Sequence, residues 1–523
     1  MDTLSGYMDF LGGIDMQVHD YKKRWESLYD ELYVLRQDVL KEGNALFEIW
    51  KPHIERKAFH YSAWNLAFYL ALRCHDLRGL QKKLLPLGLS SLGRSEARAI
   101  DNLDAVMASL GRICHKPERE VIDYPSRKTF FYGDELLTYN TSRIFGSGKA
   151  MKHTHVMVTL PSEAATNPDL LCNLVKSGMD CARINCAHDS RDKWAQMLEY
   201  IHKAEKKTGR RCRIYMDLSG PKVRISAVLI RGAESKVAAG DTLFLVSGDI
   251  NKYPADYKGN VVLACSIPEI FQHLKTGQPV LIDDGKIKAE VTALVPEGAY
   301  ICVNYAKPQG TRIKNQKSLN FPKTEICISP LTPKDLKDLD FIAAHADAVG
   351  YSFVKTAQDI QLLQNELIKR NGKQARKIAI VAKIETKAGV DHLPEIIVQA
   401  ASKQPLAIMI ARGDLAVEVG YRRLAELQEE ILWICEAAHV PVIWATQVLE
   451  NMVKTGIPSR AEITDAAMSE RAECVMLNKG PYVVEAVTSL GNILERMEQH
   501  QHKKASQLRA LNIAKCAMHR IKK

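Results

Sequence analysis

The chain has no apolar run long enough to cross a bilayer, no CxxC pair and no cysteine–histidine cluster at zinc spacing. A spanning helix needs about 20 predominantly apolar residues, so the first lack excludes a helical membrane protein on this sequence. The opening stretch, MDTLSGYMDF, lacks the basic-then-apolar order of a secretory leader, and a cytoplasmic setting is expected. The twelve cysteines are scattered, and several sit inside apolar runs such as CARINC and AECVML, where cysteine acts as a small hydrophobe. Neither a disulfide framework nor structural zinc is expected. The net charge of +11 is concentrated in a basic tail, residues 501–523, which carries seven Lys and Arg, no acid and no aromatic residue. Basic residues without interleaved aromatics read as a solvated terminus, so no nucleic-acid partner is expected.

What is present is an ordinary globular composition, 46% hydrophobic and 25% charged, over a length that allows about two to four domains. Residues 1–150 read as helices. In SEARAIDNLDAVMASLGRI, Ser95 is the expected N-cap, and Ile100, Leu103, Val106, Met107 and Leu110 recur at helical spacing. YSAWNLAFYLALRCHDLRGLQKKLL repeats the pattern, and GLSSLGRS is a connecting turn. From His155 onward, short Val/Ile-rich runs alternate with helical stretches: HVMVTL, CARINC and CRIYMD, then ADAVGYSFV, KIAIVAKIE, LAIMIARGD, VPVIWATQ and AECVMLN. Eight such units predict a parallel TIM (β/α)8 barrel over 151–222 and 324–500. Between them, 223–323 reads as an all-β insertion, including a hairpin with a two-residue turn at Asp284-Gly285. An insertion at the catalytic end of a barrel is placed to act as a lid.

Chemistry in such a barrel collects at the C-terminal strand ends. The second strand ends in Arg183 to His188, the third at Asp217, the fifth at Lys383-Ile384-Glu385, the sixth at Arg412-Gly413-Asp414 and the seventh at Thr446-Gln447. Residues two apart on a strand share a face, so Arg183 with Asn185, Lys383 with Glu385, and Arg412 with Asp414 are expected to project as pairs. One or two such pairs could form a structural ion-pair ring; recurrence at strand after strand favours function. Glu385 and Asp414 offer oxygen ligands for Mg²⁺, which completes its shell with water and substrate oxygens. Lys383 and Arg183 beside them suit a negatively charged group in flight, the arrangement phosphoryl transfer requires.

The motifs SGMDCARINCAH, MDLSGPKVRI, LIDDGKI, QKSLNFP, VAKIET, ARGDLAVEV, WATQVLENM and PSRAEITD resemble those of the pyruvate kinase family, over roughly residues 153–500. The resemblance implies phosphoryl transfer from phosphoenolpyruvate to ADP, giving pyruvate and ATP, with Mg²⁺ (or Mn²⁺). Glu385 and Asp414 match the divalent-metal ligands and Lys383 the lysine that steadies the phosphoryl group and enolate. Arg183 matches the phosphoryl-contacting arginine and Thr446 the threonine near the carbon that gains a proton. His188, Arg224 and Lys317 match positions around the nucleotide phosphates, with Gly413 in the substrate-binding stretch.

The departures are as specific as the matches. Family members that need potassium hold it with Asn, Ser, Asp and a Thr carbonyl; here Asn185 and Asp217 remain, while Ala187 and Leu218 stand at the Ser and Thr positions. Where those members carry Glu, this chain has Lys222, as in members that work without potassium. An ammonium on a flexible stem can occupy the potassium neighbourhood, so Lys222 is expected to pair with Asp217 and potassium not to be required. The plain alternative is a turn-stabilising ion pair. After Leu477 the family's Ser-Gly-Glu-Thr is replaced around Asn478 and Lys479. The family's C-terminal regulatory domain is not matched, so sugar-phosphate regulation is not expected, the usual tetramer is not assumed, and a homodimer stays open. Two rivals remain: a pseudoenzyme scaffold, and a barrel doing aldol or carboxyl-transfer chemistry, which Lys317 in the lid argues against.

Overall fold

The structure, a computed structural model, describes residues 18–146, 154–232, 236–324, 328–503 and 505–506, so most of the basic tail lies outside the described residues. The chain divides into two compact units: residues Met1–Thr138 with Glu436–His439, and Tyr139–Cys435 with Val440–Lys523.

The first unit is helical. A helix of 33 residues, Val18–Trp50, is followed by His60–Arg73, Arg78–Leu84 and Ala99–Ile113. The stripe Ile100, Leu103, Val106, Met107 and Leu110 is buried, so the 3.6-residue period does identify the core face. Ser95 is not the cap. The helix starts four residues later, and the Ser95 hydroxyl donates to the carbonyl of Leu92 and accepts from the Asn102 amide. The orphan N–H of Ala99 goes instead to the buried side chain of Asn65, 2.8 Å away.

The second unit contains a closed barrel of eight parallel strands: His155–Thr159, Cys181–Asn185, Arg213–Asp217, Ala348–Tyr351, Ala379–Ile384, Leu406–Ala411, Val442–Ala445 and Cys474–Leu477. Six of the eight are buried at every position, as strands covered on both faces must be, which is why they read as continuous apolar runs and not as alternation. Met157, Cys181, Tyr215, Val381, Met409, Ile443 and Met476 fill the interior, joined by Ile144 and Phe145 from the end of helix Arg127–Phe145. Three of the helices outside the barrel start on reciprocal capping boxes, at Thr332/Asp335, Thr356/Asp359 and Ser459/Glu462.

After the third strand the chain leaves the barrel to build a seven-stranded mixed sheet. Its core is Leu243, Leu263, Val280, Ile287, Val291 and Ile301. The Asp284-Gly285 turn is present: Lys286 N–H bonds the Asp283 carbonyl at 3.2 Å, and both central residues have positive φ, which this turn type requires. The outgoing and returning chains pair where they cross to the barrel, with Ile225 N–H on the Lys317 carbonyl at 2.8 Å and Leu319 N–H on that of Val223 at 3.0 Å.

Candidate active site

Asp217, at the third strand's end, is 1% exposed and draws in the first group of side chains. Its Oδ2 accepts from Arg183 Nε at 3.1 Å and also from Arg183 Nη2, and lies 3.4 Å from Lys383 Nζ; Oδ1 accepts from the Tyr215 hydroxyl at 3.2 Å. A Cβ at position 350 would clash with both the Tyr215 hydroxyl and Asp217, so the glycine of AVGYS is what lets these groups meet. Arg183 spends its remaining amino group on Thr159 Oγ1 at 2.9 Å. Burial works to raise the Asp217 pKa, but Lys383 and Arg183 outweigh it and hold the carboxyl below its ordinary value.

Lys383 links this group to the next. Its ammonium donates to Ser352 Oγ at 2.8 Å and lies 3.2 Å from Glu385 Oε1. Burial alone would lower its pKa; Asp217 and Glu385 raise it, so it stays charged. The other oxygen of Glu385 accepts from the Phe353 backbone N–H at 2.6 Å. Glu385 shifts opposite to Asp217: burial pushes its carboxyl up, Lys383 pulls it back, and the neighbouring charge of Asp414 pushes it up again.

Asp414 does not sit on a strand. The sixth strand ends at Ala411 and the helix Arg412–Val419 begins, which corrects the expectation that Arg412 and Asp414 share a face: two residues apart on a helix is about 200° of rotation. Arg412 instead braces the seventh strand's end, bonding the carbonyls of Ala445 and Thr446 at 2.9 and 2.6 Å, gripping Asp465 and lying 4.7 Å over the Trp444 ring. It holds Thr446 at φ 68°, an outlying conformation for a β-branched residue, with the Thr446 hydroxyl accepting from Gly413 N–H at 3.0 Å. Strain of this kind persists only where the surroundings enforce it.

Lys222 corrects a second expectation. It does not pair with Asp217, whose oxygens are already taken by Arg183, Lys383 and Tyr215. Its Nζ lies 2.6 Å from Asp414 Oδ1. Asn185 accepts from Ala187 N–H at 3.0 Å and is the strand neighbour of Asp217. His188 has its pKa lowered by burial first and then by Lys479, with Asp189 opposing and Arg224 and Arg183 adding smaller contributions. On the sheet side, Arg224 bonds the Gln316 carbonyl at 2.9 Å and Lys317 pairs with Asp283 at 3.0 Å. A cavity of about 390 Å³ opens between sheet and barrel, lined in part by Lys222, Asp284, Gly413, Asp414 and Tyr421.

Arg183, Asp217, Lys383 and Glu385 thus form one network, with Asp414, Lys222, Gly413 and Thr446 adjoining it; Lys317 is engaged within the sheet. Ser352, Thr159 and Tyr215 join the site without having been expected there, and Asp284, expected only as a turn residue, lines the cavity. The signal for Ser352 lay at the end of the fourth strand, in YSFV, where no charge drew notice.

The family model described as "Pyruvate kinase, barrel domain" matches residues 151–487. The chain belongs to the pyruvate kinase family. It is an enzyme of that family, a kinase by reaction class. It is 34% identical over 354 residues to a pyruvate kinase of Agrobacterium vitis, covering 66% of this chain and 69% of the relative. A pyruvate kinase of Dictyostelium discoideum is 32% identical over 345 residues, 63% of each chain. Pyruvate kinase PKLR of Rattus norvegicus is 31% identical over 360 residues, 65% of this chain and 58% of the relative. The residues matched by the family model span the barrel strands and the inserted sheet.

Among the described residues no cluster of three or more His, Cys, Asp or Glu could hold a metal. The donor set of Glu385 and Asp414 nevertheless fits Mg²⁺, which takes one or two carboxylates and fills its octahedron with water and substrate oxygens. Burial is the main cause of the raised Glu385 pKa and the charge of Asp414 adds to it, a combination that a divalent ion relieves.

Proposed function

We propose that this chain transfers the phosphoryl group of phosphoenolpyruvate to ADP, giving pyruvate and ATP, with Mg²⁺ (or Mn²⁺) held by Glu385 and Asp414. The observation that carries the reading is the buried set of Arg183, Lys383, Asp217 and Glu385 beside Asp414. The divalent ion, when bound, would neutralise charge on the transferring group and on the enolate oxygen. Lys383 supplies a fixed ammonium at the reacting phosphorus, its proton retained because two carboxylates raise its pKa. Arg183 offers a planar guanidinium that Asp217 and Thr159 hold in place, so little reorganisation accompanies the reaction. Thr446, its hydroxyl positioned by Gly413 N–H, is suited to carry a proton through water to the enolate carbon. His188 and Arg224 serve the nucleotide phosphates, and Lys317 reaches them when the 223–323 sheet closes as a lid. A cytoplasmic setting belongs to this reading and is supported by the ten free cysteines among the described residues.

Potassium is not required in this reading, because Lys222 supplies a cation where potassium-dependent members have glutamate. A lactate-dehydrogenase-coupled assay with sodium as the sole monovalent ion tests it; turnover that appears only on adding potassium would refute it. The same assay on Lys383→Met discriminates this reading from the scaffold alternative, which the altered Asn478–Lys479 loop motivates: a wild-type rate no higher than the variant's would favour the scaffold.

A further inference from the structure

The pairing of Lys222 with Asp414 has a consequence for metal binding. Lys222 follows the Gly220-Pro221 turn, and that loop is pinned, since Asp335 accepts the backbone N–H of Ser219 at 3.0 Å and of Gly220 at 3.4 Å. The pinned loop delivers the ammonium to Asp414 Oδ1 at 2.6 Å, with the two side chains 24% and 19% exposed. Among the described residues Lys222 is the one cation within ion-pair distance of Asp414. Each of the three carboxylates lies within ion-pair distance of a cation: Asp217 of Arg183 and Lys383, Glu385 of Lys383, and Asp414 of Lys222.

We propose that Lys222 is a built-in competitor for the divalent cation, holding the Asp414 oxygen that the metal needs and setting how tightly the metal binds before substrate arrives. An ammonium 2.6 Å from Oδ1 and a divalent ion on the same carboxylate repel each other at short range, so metal binding should drive Lys222 away from Asp414. Its unbranched stem permits that, and its single-point pairing is easily exchanged. Once displaced, the ammonium stays at the cavity wall beside Gly413, where an anionic substrate can take up its charge. Metal and anion should therefore bind together more readily than the metal alone.

The inference rests on the metal assignment to Glu385 and Asp414, and the test separates the two. Mn²⁺ binding to the full-length protein is followed by the loss of the free-ion EPR signal, without substrate, for wild type, Lys222→Met, Lys222→Gln, Lys222→Arg, Glu385→Gln and Asp414→Asn, each checked by circular dichroism. Lys222→Met and Lys222→Gln should bind Mn²⁺ about tenfold or more tightly than wild type, the scale expected when a unit charge leaves a half-buried site. Lys222→Arg, which keeps the charge, should stay near wild type. If Met and Gln variants both bind no tighter than wild type while Glu385→Gln and Asp414→Asn lose binding, the competition is wrong and the metal site stands. If the two carboxylate variants bind as wild type does, the metal assignment itself falls and the competition with it.

Discussion

Asp217 and Glu385 both touch Lys383 and both are almost wholly buried, yet burial ends differently for each. Asp217 has a second cation in Arg183 and a hydroxyl in Tyr215, and its pKa falls. Glu385 shares its one ammonium, has Asp414 on its other side, and its pKa rises. The same residue chemistry in the same barrel layer gives a closed, satisfied network at the third strand and an under-compensated one between the fifth and sixth. The lesson is that the satisfied half reads as a scaffold holding Arg183 and Lys383 still, whereas the unsatisfied half reads as a place for one more positive charge.

The largest break in this comparison should come from the scaffold half. Lys383→Met removes the cation common to both halves, and kcat in the coupled assay should fall by about 10²–10³, as for loss of one preorganised electrostatic group. Asp217→Asn leaves Arg183 and Lys383 buried against a neutral amide, and should cost about 3–5 kcal/mol in denaturant unfolding. The pH sign is fixed by the direction of the shift. With the folded pKa below the unfolded value of about 3.9, the carboxylate's contribution is complete above that pH and is lost as the pH falls through the folded value. Wild type and Asp217→Asn should therefore differ most at neutral pH and converge in acid. A difference that stays constant down to the acid transition would show that Asp217 is not held as an ion. Ser352→Ala deletes one acceptor of the Lys383 ammonium and the donor to the Leu218 carbonyl, and should cost about 1–2 kcal/mol.

The barrel was legible in the sequence because parallel strands buried on both faces leave uninterrupted Val/Ile runs, and because helical periods separate them. The site was legible where charge stood at a strand end: Arg183, Lys383 and Glu385 group from the sequence alone, whereas Asp217 was expected to pair with Lys222 and joins Arg183 and Lys383 instead. Two things were not. Arg412 and Asp414 look like a strand pair only if the strand runs on, and nothing in ARGDLAVEV announces that the helix starts at Arg412. The partner of Lys222 depends on a loop held by Asp335, more than a hundred residues later, which no local pattern encodes. Ser95 failed for a related reason. It precedes a helical run, but a tertiary contact from Asn65 supplies the cap, and local propensity yields to such contacts.

The smallest effect on stability belongs to Lys222→Met, and it sharpens the comparison most. By distance, the Lys222–Asp414 pair at 2.6 Å is closer than the Lys383–Asp217 contact at 3.4 Å, so a ranking by geometry would make it the stronger. Exposure reverses the ranking. Asp217 is sealed, but Asp414 lines a cavity open to water, which can solvate the carboxylate once the lysine is gone. A pair in that setting should contribute about 1 kcal/mol or less to unfolding free energy, and the loss should shrink further at high salt. Chemical denaturation of Lys222→Met at low and high ionic strength measures both. A loss as large as that of Asp217→Asn would mean that Lys222 is part of the scaffold and not a group free to leave Asp414.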